Sequence, residues 1–503
     1  MWINLFSLEF IGTFVTIFLC IVGTAAWYLH QQHLKYDHIP GPPRDSFWSG
    51  HLQSIQKVVS KGGIFDDYIL ELTETYGMIF RIYMWHQTFV IVSDPELVKN
   101  VLVTGNYPKS KAIYSRLTHL FGTRYVGNGL ESEVDQTVWI VQRMHFNHWF
   151  KPHNLRQFTP DFNEYADSLV HQLGKYADGK THTPMEELFH KVTLHLMCKV
   201  TFNFDLGTLD SPSHPFAYYL GFTLAAFSKQ MMNPLFSMNP FKWKYCLQVR
   251  NAVAKLRLYA KERIAERRNE KQRGVHVPHD LLQSILELKE QNPSQITEEI
   301  LLDHFVSFLI GGQETTANTL SFMVFLLAQN PACYKKLQDE IDTNVAAVSV
   351  LTSAELDDLP YLDMVMKETL RLYPIVKQTF RETVRNERLG EFSLPAGTDI
   401  MVSFYANGRS TKTLTNPSQF LPERFDPKAN ERVGTYVYTP FSAGPHTCIG
   451  KKFAEIETKI IMAKIIQNFD FELVPGQPMG VIDCGTLRIL GGAKCFLRPR
   501  TAK

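Results

Sequence analysis

The chain has 503 residues, 45% hydrophobic and 20% charged, which excludes wholesale disorder and leaves ample apolar material for a large core. Lys and Arg total 52 against 50 for Asp and Glu, and a net charge of +2 gives no global electrostatic reason to bind nucleic acid. Seven scattered cysteines with no C-x-x-C pair argue against a disulfide framework, a zinc ribbon and a thioredoxin-type motif.

Residues 10–29 contain no charged side chain. A helix of that length rises roughly 30 Å, about one hydrocarbon thickness. Glu9 is the only charge upstream, and basic residues begin only at Lys35 and Arg44, so a cleaved secretory signal and a mitochondrial presequence are both disfavoured. The positive-inside rule then keeps the following chain cytosolic. The expected organisation is an anchor over 1–35, a stiff Pro-rich linker over 36–50 around Pro40, Pro42 and Pro43, and one catalytic body over 51–503.

Helical periodicity dominates the body, with short β-rich pieces such as residues 89–93. The aromatic and Met-rich stretch 216–245 reads either as core or as an apolar lid, and the charged stretch 261–273 as the solvated end of a helix. The longest helix is expected over 297–330, ended by Pro331, with Glu298 and Glu299 favoured by the dipole in its first turn. Gly311 and Gly312 interrupt it at a cost of roughly 1 kcal/mol each, which calls for a bend or a close approach. Gln313, Glu314, Thr315 and Thr316 follow, a polar cluster that suits a site better than a core.

Residues 441–450 read Phe-Ser-Ala-Gly-Pro-His-Thr-Cys-Ile-Gly. This resembles the cysteine loop of the cytochrome P-450 superfamily, Phe-x-x-Gly-x-(Arg/His)-x-Cys-x-Gly, and Ala454 fits the same pattern. The resemblance implies a mainly α fold with small β-sheets: a single large haem domain behind an N-terminal transmembrane helix. It implies a haem b whose iron is ligated by the Cys448 thiolate, a ligand that pushes electron density onto iron and favours O–O cleavage. Gly444 and Gly450 are expected to let backbone N–H groups approach the sulfur, and Phe441 is expected to bind the haem with them. Trp139 and Arg143, one helical turn apart, would bind a haem propionate together with Arg381 and His446. Glu368 and Arg371, at helical i,i+3 spacing, would form a buried triad with Arg424 behind the haem. Gly311 to Thr316 match the superfamily's oxygen-activation motif, in which Thr315 would hydrogen-bond the activated oxygen and Glu314 would relay protons. Gly311, Phe380 and Tyr114 are expected to face substrate.

Within the superfamily, Tyr36 to Pro43, Gly311 to Asn318 and Cys448 to Ala454 are most similar to the cholesterol 24-hydroxylase branch, which implies sterol side-chain hydroxylation at the endoplasmic reticulum membrane. Three residues depart from that pattern. His446 stands where most relatives have Arg, and Lys377 and Glu131 stand where the sterol branch has apolar residues, so the substrate is expected to differ or to be more polar. No nucleotide-binding glycine motif is present, so electrons from NADPH must come through a partner cytochrome reductase, for which Lys451 and Lys452 are docking candidates. The leading reading is an O2- and NADPH-dependent monooxygenase of lipophilic substrates. The other readings are a monooxygenase of another lipid or xenobiotic, a reductase-independent haem-thiolate isomerase or dehydratase, and a non-catalytic sterol carrier.

Overall fold

The computed structural model describes residues 2–207, 209, 214–233 and 236–500. Pro234 and Leu235, in the expected lid, lie outside the described residues, as do Met1 and the last three positions of the body. The N-terminal helix runs Trp2–Tyr36, longer than the expected 10–29. Its segment Gly12–Tyr36 is long and apolar enough to cross a membrane and is almost wholly exposed. The extension arises because no proline or glycine pair breaks the helix before Pro40.

The Pro-rich segment is more than a spacer. Arg81 donates its backbone N–H to Pro40 O at 2.8 Å, and a ring nitrogen of His51 bonds Pro42 O at 3.2 Å. A Cβ on Gly41 would crowd the Arg81 backbone, so this glycine allows the linker to lie flat on the strand Ile79–Met84. That strand opens a four-stranded sheet. Gln87–Val92 pairs with it antiparallel, Asp399–Ser403 follows in parallel, and Gln378–Glu382 closes the edge.

The remainder is a helical body around the helix Glu298–Gln329, capped by the Thr297 side chain, which accepts the Ile300 N–H. It has no polar face along most of its length, because helices pack round it. Its main partner is the helix Met185–Phe202, and Lys451–Asn468 and Pro360–Leu372 also lie against it. The helix stays continuous through its two glycines. Gly312 is explained by close approach, since a Cβ there would overlap the Met197 side chain, whereas a Cβ on Gly311 would meet nothing.

Two surface readings change. The helix Trp243–Gln272 carries the charged stretch, yet Arg267 is fully buried and clamps Asp280 with bonds of 2.7 and 2.6 Å. The solvated-face reading therefore fails at this residue, whose charge is matched bidentately. The 216–245 stretch is both core and surface. Phe216, Leu220 and Leu224 are buried on the helix Pro215–Met232, while Phe241 is 95% exposed.

Candidate active site

A cavity of about 570 Å³ lies between the central helix and the cysteine loop. Its floor is a turn in which the Cys448 N–H bonds Phe441 O at 2.8 Å, just ahead of the helix Lys451–Asn468. The Cys448 side chain has accessible surface and lines the cavity. Burial pushes the thiol up, while the Gly450 N–H and the charge of Arg143 pull it down.

The two loop glycines differ in reason. A Cβ on Gly450 would make only ordinary contact with the sulfur, so the missing side chain is not what allows approach to Cys448 there. Gly444 is needed elsewhere: it has φ +69°, and a Cβ would overlap the Leu102 carbonyl. The expectation that Gly444 serves approach to the sulfur is corrected, because what it admits is the neighbouring 100–104 turn.

Behind the loop, Arg371 clamps Glu368 bidentately, with both bonds at 2.7 Å, and Arg424 stands 3.5 Å from the same carboxylate. All three residues are buried. Arg371 also donates to the carbonyls of Gly408, Pro417 and Gln419, and the Leu421 N–H bonds Glu368. The cluster thus ties the 408–421 segment to the helix Pro360–Leu372.

At one end of the cavity the cationic groups converge. Asp135 caps the helix Gln136–Trp149, which carries Trp139 and Arg143. The His446 ring lies on Trp139, centroids 3.8 Å apart. Burial, then Arg381, Lys109 and Arg143, push His446 down to about 3, so its ring is neutral, and among the described residues neither nitrogen has a partner. Arg381 bonds Thr379 and its own strand through one nitrogen and leaves Nε unpartnered. Sequence reasoning missed Lys109. This residue is buried, donates to Leu130 O at 2.8 Å and Glu133 O at 3.1 Å, and is lowered to about 7 by burial and Arg381. Its only signal in the sequence was a lysine after Pro108, which gives no hint of burial. Glu131 also lines this end, its carboxyl raised by burial.

A sulfur open to the cavity with a backbone donor aimed at it, together with buried cations and unpartnered nitrogens at one end, fits an anionic, iron-bearing macrocycle. Cys448 would hold its metal, and Arg143, Arg381, Trp139 and His446 would surround its carboxylates.

On the opposite wall Thr315 faces the cavity and donates to Gly311 O at 2.8 Å. Glu314 also borders it but is committed elsewhere. Arg488 contacts its Oε1 at 2.5 Å, Thr486 donates at 3.0 Å and Asn318 at 3.2 Å. Burial acts to raise this carboxyl, but His190, Arg488 and Thr486 outweigh it and hold it ionised. His190 Nδ1 lies 3.7 Å from Glu314, and Glu186 lies 3.7 Å beyond His190 Nε2. Tyr114 and Phe380 line the cavity, with the Tyr114 hydroxyl 3.0 Å from Thr379 Oγ1 and the Phe380 ring edge-on to Phe89. Lys377 is buried but paired, 2.6 Å from Asp483. Lys451 and Lys452 are exposed beside the loop, 4.0 and 3.5 Å from Glu455.

The cytochrome P-450 family model matches residues 40–494. Cytochrome P-450 3A17 of Cavia porcellus is 28% identical, with 93% of this chain and 91% of that protein aligned. Cytochrome P-450 3A6 of Oryctolagus cuniculus is 28% identical over 81% of this chain and 82% of its own length, and 3A9 of Rattus norvegicus is 28% identical over 91% of each. None of these names is that of the cholesterol 24-hydroxylase branch. The chain belongs to the cytochrome P-450 family, and it is therefore a haem-thiolate monooxygenase using O2 and NADPH through a reductase.

Proposed function

We propose that the chain hydroxylates an unactivated C–H bond of a sterol-sized lipophilic substrate, with the sterol side chain as the leading candidate. The Cys448 thiol, open to a cavity that Thr315 also lines, is the observation that carries this reading. Bound haem would supply reductive activation of O2 and insertion of one oxygen atom, chemistry that a Cys448 thiolate ligand would favour.

The protein's own residues do the rest. Cys448 Sγ would ligate the iron, and the neighbouring Gly450 N–H would temper the charge of the sulfur. Arg143, Arg381 and Trp139 orient the propionates, and the Glu368–Arg371–Arg424 cluster fixes the backbone that leads into the cysteine loop. Thr315 Oγ1, now bonded to Gly311 O, turns to donate to oxygen in the cavity. Glu314 is held as a carboxylate by Arg488, so it is not itself the resting acid and acts as a relay for protons. Tyr114, Phe380 and the open space over Gly311 shape the substrate chamber. The apolar helix Trp2–Tyr36 anchors the protein in the endoplasmic reticulum membrane, and Lys35 and Arg44 keep the body cytosolic. Lys451 and Lys452 offer cations to an acidic face of the reductase.

The test is turnover. Full-length protein reconstituted with reductase, NADPH and cholesterol is expected to give a side-chain alcohol in step with NADPH consumed. Product from another lipid alone would reject the sterol substrate. Product formed without reductase would reject the monooxygenase reading itself.

A further inference from the structure

We propose that Lys377 and Asp483 form an anchoring subsite for the hydroxyl group of a neutral lipophilic alcohol. This deepens the preceding proposal and rests on reading the cavity as a substrate chamber. Lys377 Nζ and Asp483 Oδ1 are 2.6 Å apart, and both residues line the cavity. Lys377 is 4% exposed. Asp483 keeps part of its carboxylate accessible.

Three parts of the chain fix this pair in place. The Lys377 carbonyl accepts the N–H groups of Phe404 and Tyr405 at 2.8 and 3.1 Å. Asp483 lies in the two-stranded hairpin Val481–Asp483 and Leu487–Ile489, where its Oδ1 accepts the Gly485 N–H at 2.9 Å. Ser228, on the helix Pro215–Met232, donates to Asp483 O, and the Leu487 N–H bonds Ile375 O at 3.0 Å, which joins the hairpin to the Lys377 segment. Such support keeps polar groups aimed without a ligand, as a recognition site requires.

Stability does not explain the pair. Replacing a buried ion pair with packed apolar residues is commonly neutral or stabilising, and the neighbouring lining is apolar at Leu224, Phe227 and Met231. Behind the pair and outside the cavity lining, Asp66 is wholly buried, and among the described residues neither of its carboxyl oxygens has a partner. Burial raises its carboxyl to about 7, and Lys377 opposes that rise. Gln378 Oε1, on the next residue and also in the lining, lacks a partner too.

This set of groups selects by charge. An anionic headgroup would reach Lys377 only by displacing Asp483, and it would then face the displaced carboxylate. A cationic headgroup would meet the ammonium. A hydroxyl can donate to Asp483 or Gln378 and accept from Lys377, so it satisfies both signs. An analogue lacking the hydroxyl forgoes a charge-assisted bond, which corresponds to roughly tenfold or more in affinity.

The experiment uses the full-length, haem-loaded chain in lipid nanodiscs and reads dissociation constants from the haem absorbance. Two matched sets are titrated: cholesterol, its deoxy hydrocarbon and cholesterol sulfate; and octadecanol, octadecane and octadecyl sulfate. In at least one set the alcohol is expected to bind about tenfold more tightly than both of its analogues. Lys377→Met with Asp483→Asn is expected to erase that preference while the band near 450 nm persists. Alcohol preference in the octadecyl set with no sterol binding would reject the sterol substrate and leave the subsite standing. Equal binding of alcohol and hydrocarbon, tighter binding of sulfate, or no binding in either set would overturn the subsite. If the double variant fails to load haem, the wild-type panel decides alone.

Discussion

The two walls of the cavity are built by different means. The cysteine wall is held by backbone: a carbonyl accepting the Cys448 N–H, the Gly450 N–H on the sulfur, a left-handed Gly444 against the Leu102 carbonyl, and a buried cluster whose Arg371 binds three more carbonyls. The opposite wall is held by side chains from distant segments, Glu314 with Arg488 and Lys377 with Asp483. Backbone contacts tolerate few substitutions, because every residue carries the same groups but few carry the required conformation. Side-chain pairs can be exchanged one for another, and that wall is where substrate preference can change while the chemistry stays in place.

The sharpest way to break this contrast is to disturb the buried cluster behind the loop. Glu368→Gln leaves Arg371 and Arg424 short of a counter-charge and should cost about 3–5 kcal/mol. The expected result is protein that expresses without stable haem, read from the haem-to-protein ratio and the thermal midpoint. A stable, haem-replete variant would remove the cluster from the account.

The opposite wall should respond more gently, and in one place favourably. The Asp66 carboxyl, raised to about 7, holds a proton in the folded state that the unfolded chain releases near 4. Stability therefore falls as pH rises between those values and stays reduced above the upper one. Asp66→Asn should remove that slope, change little below pH 4 and stabilise by at most about 4 kcal/mol above pH 7. Thermal midpoints measured across pH would show it, and an unchanged slope would contradict the burial argument.

Thr315→Ala should keep haem and substrate binding and lower the coupling of NADPH to product by about tenfold or more, with hydrogen peroxide appearing instead. Unchanged coupling would remove Thr315 from its role. The smallest effect should come from the surface. Lys451→Glu with Lys452→Glu is expected to raise the apparent KM for reductase roughly threefold and to weaken its salt dependence, with the carbon monoxide spectrum intact.

The same contrast decides what could be read from the sequence. The cysteine loop, the Trp139–Arg143 turn and the Glu368–Arg371 spacing are contiguous patterns, and each maps onto one local piece of structure. Thr486 and Arg488 stand more than a hundred residues from Glu314, as Asp483 does from Lys377, and no spacing rule links Glu314 or Lys377 to the hairpin at 481–489. Lys109 was invisible for a related reason: its burial is produced by the carbonyls of Leu130 and Glu133, which a loop brings back over it. The glycine pair was read half correctly. A close approach was expected, but only packing reveals that Gly312 serves Met197 while Gly311 faces open space. The N-terminal helix was recognised by composition, yet its length depended on where the first proline stops it.

The central claim is that Cys448 is the axial thiolate of a haem in this cavity. The most direct test is the reduced carbon monoxide difference spectrum of membranes carrying the full-length chain, beside Cys448→His. The account predicts a Soret band near 450 nm in the wild type and its loss or a shift to about 420 nm in the variant. A folded, haem-loaded wild type without the 450 nm band, or a variant that retains it, would contradict the assignment.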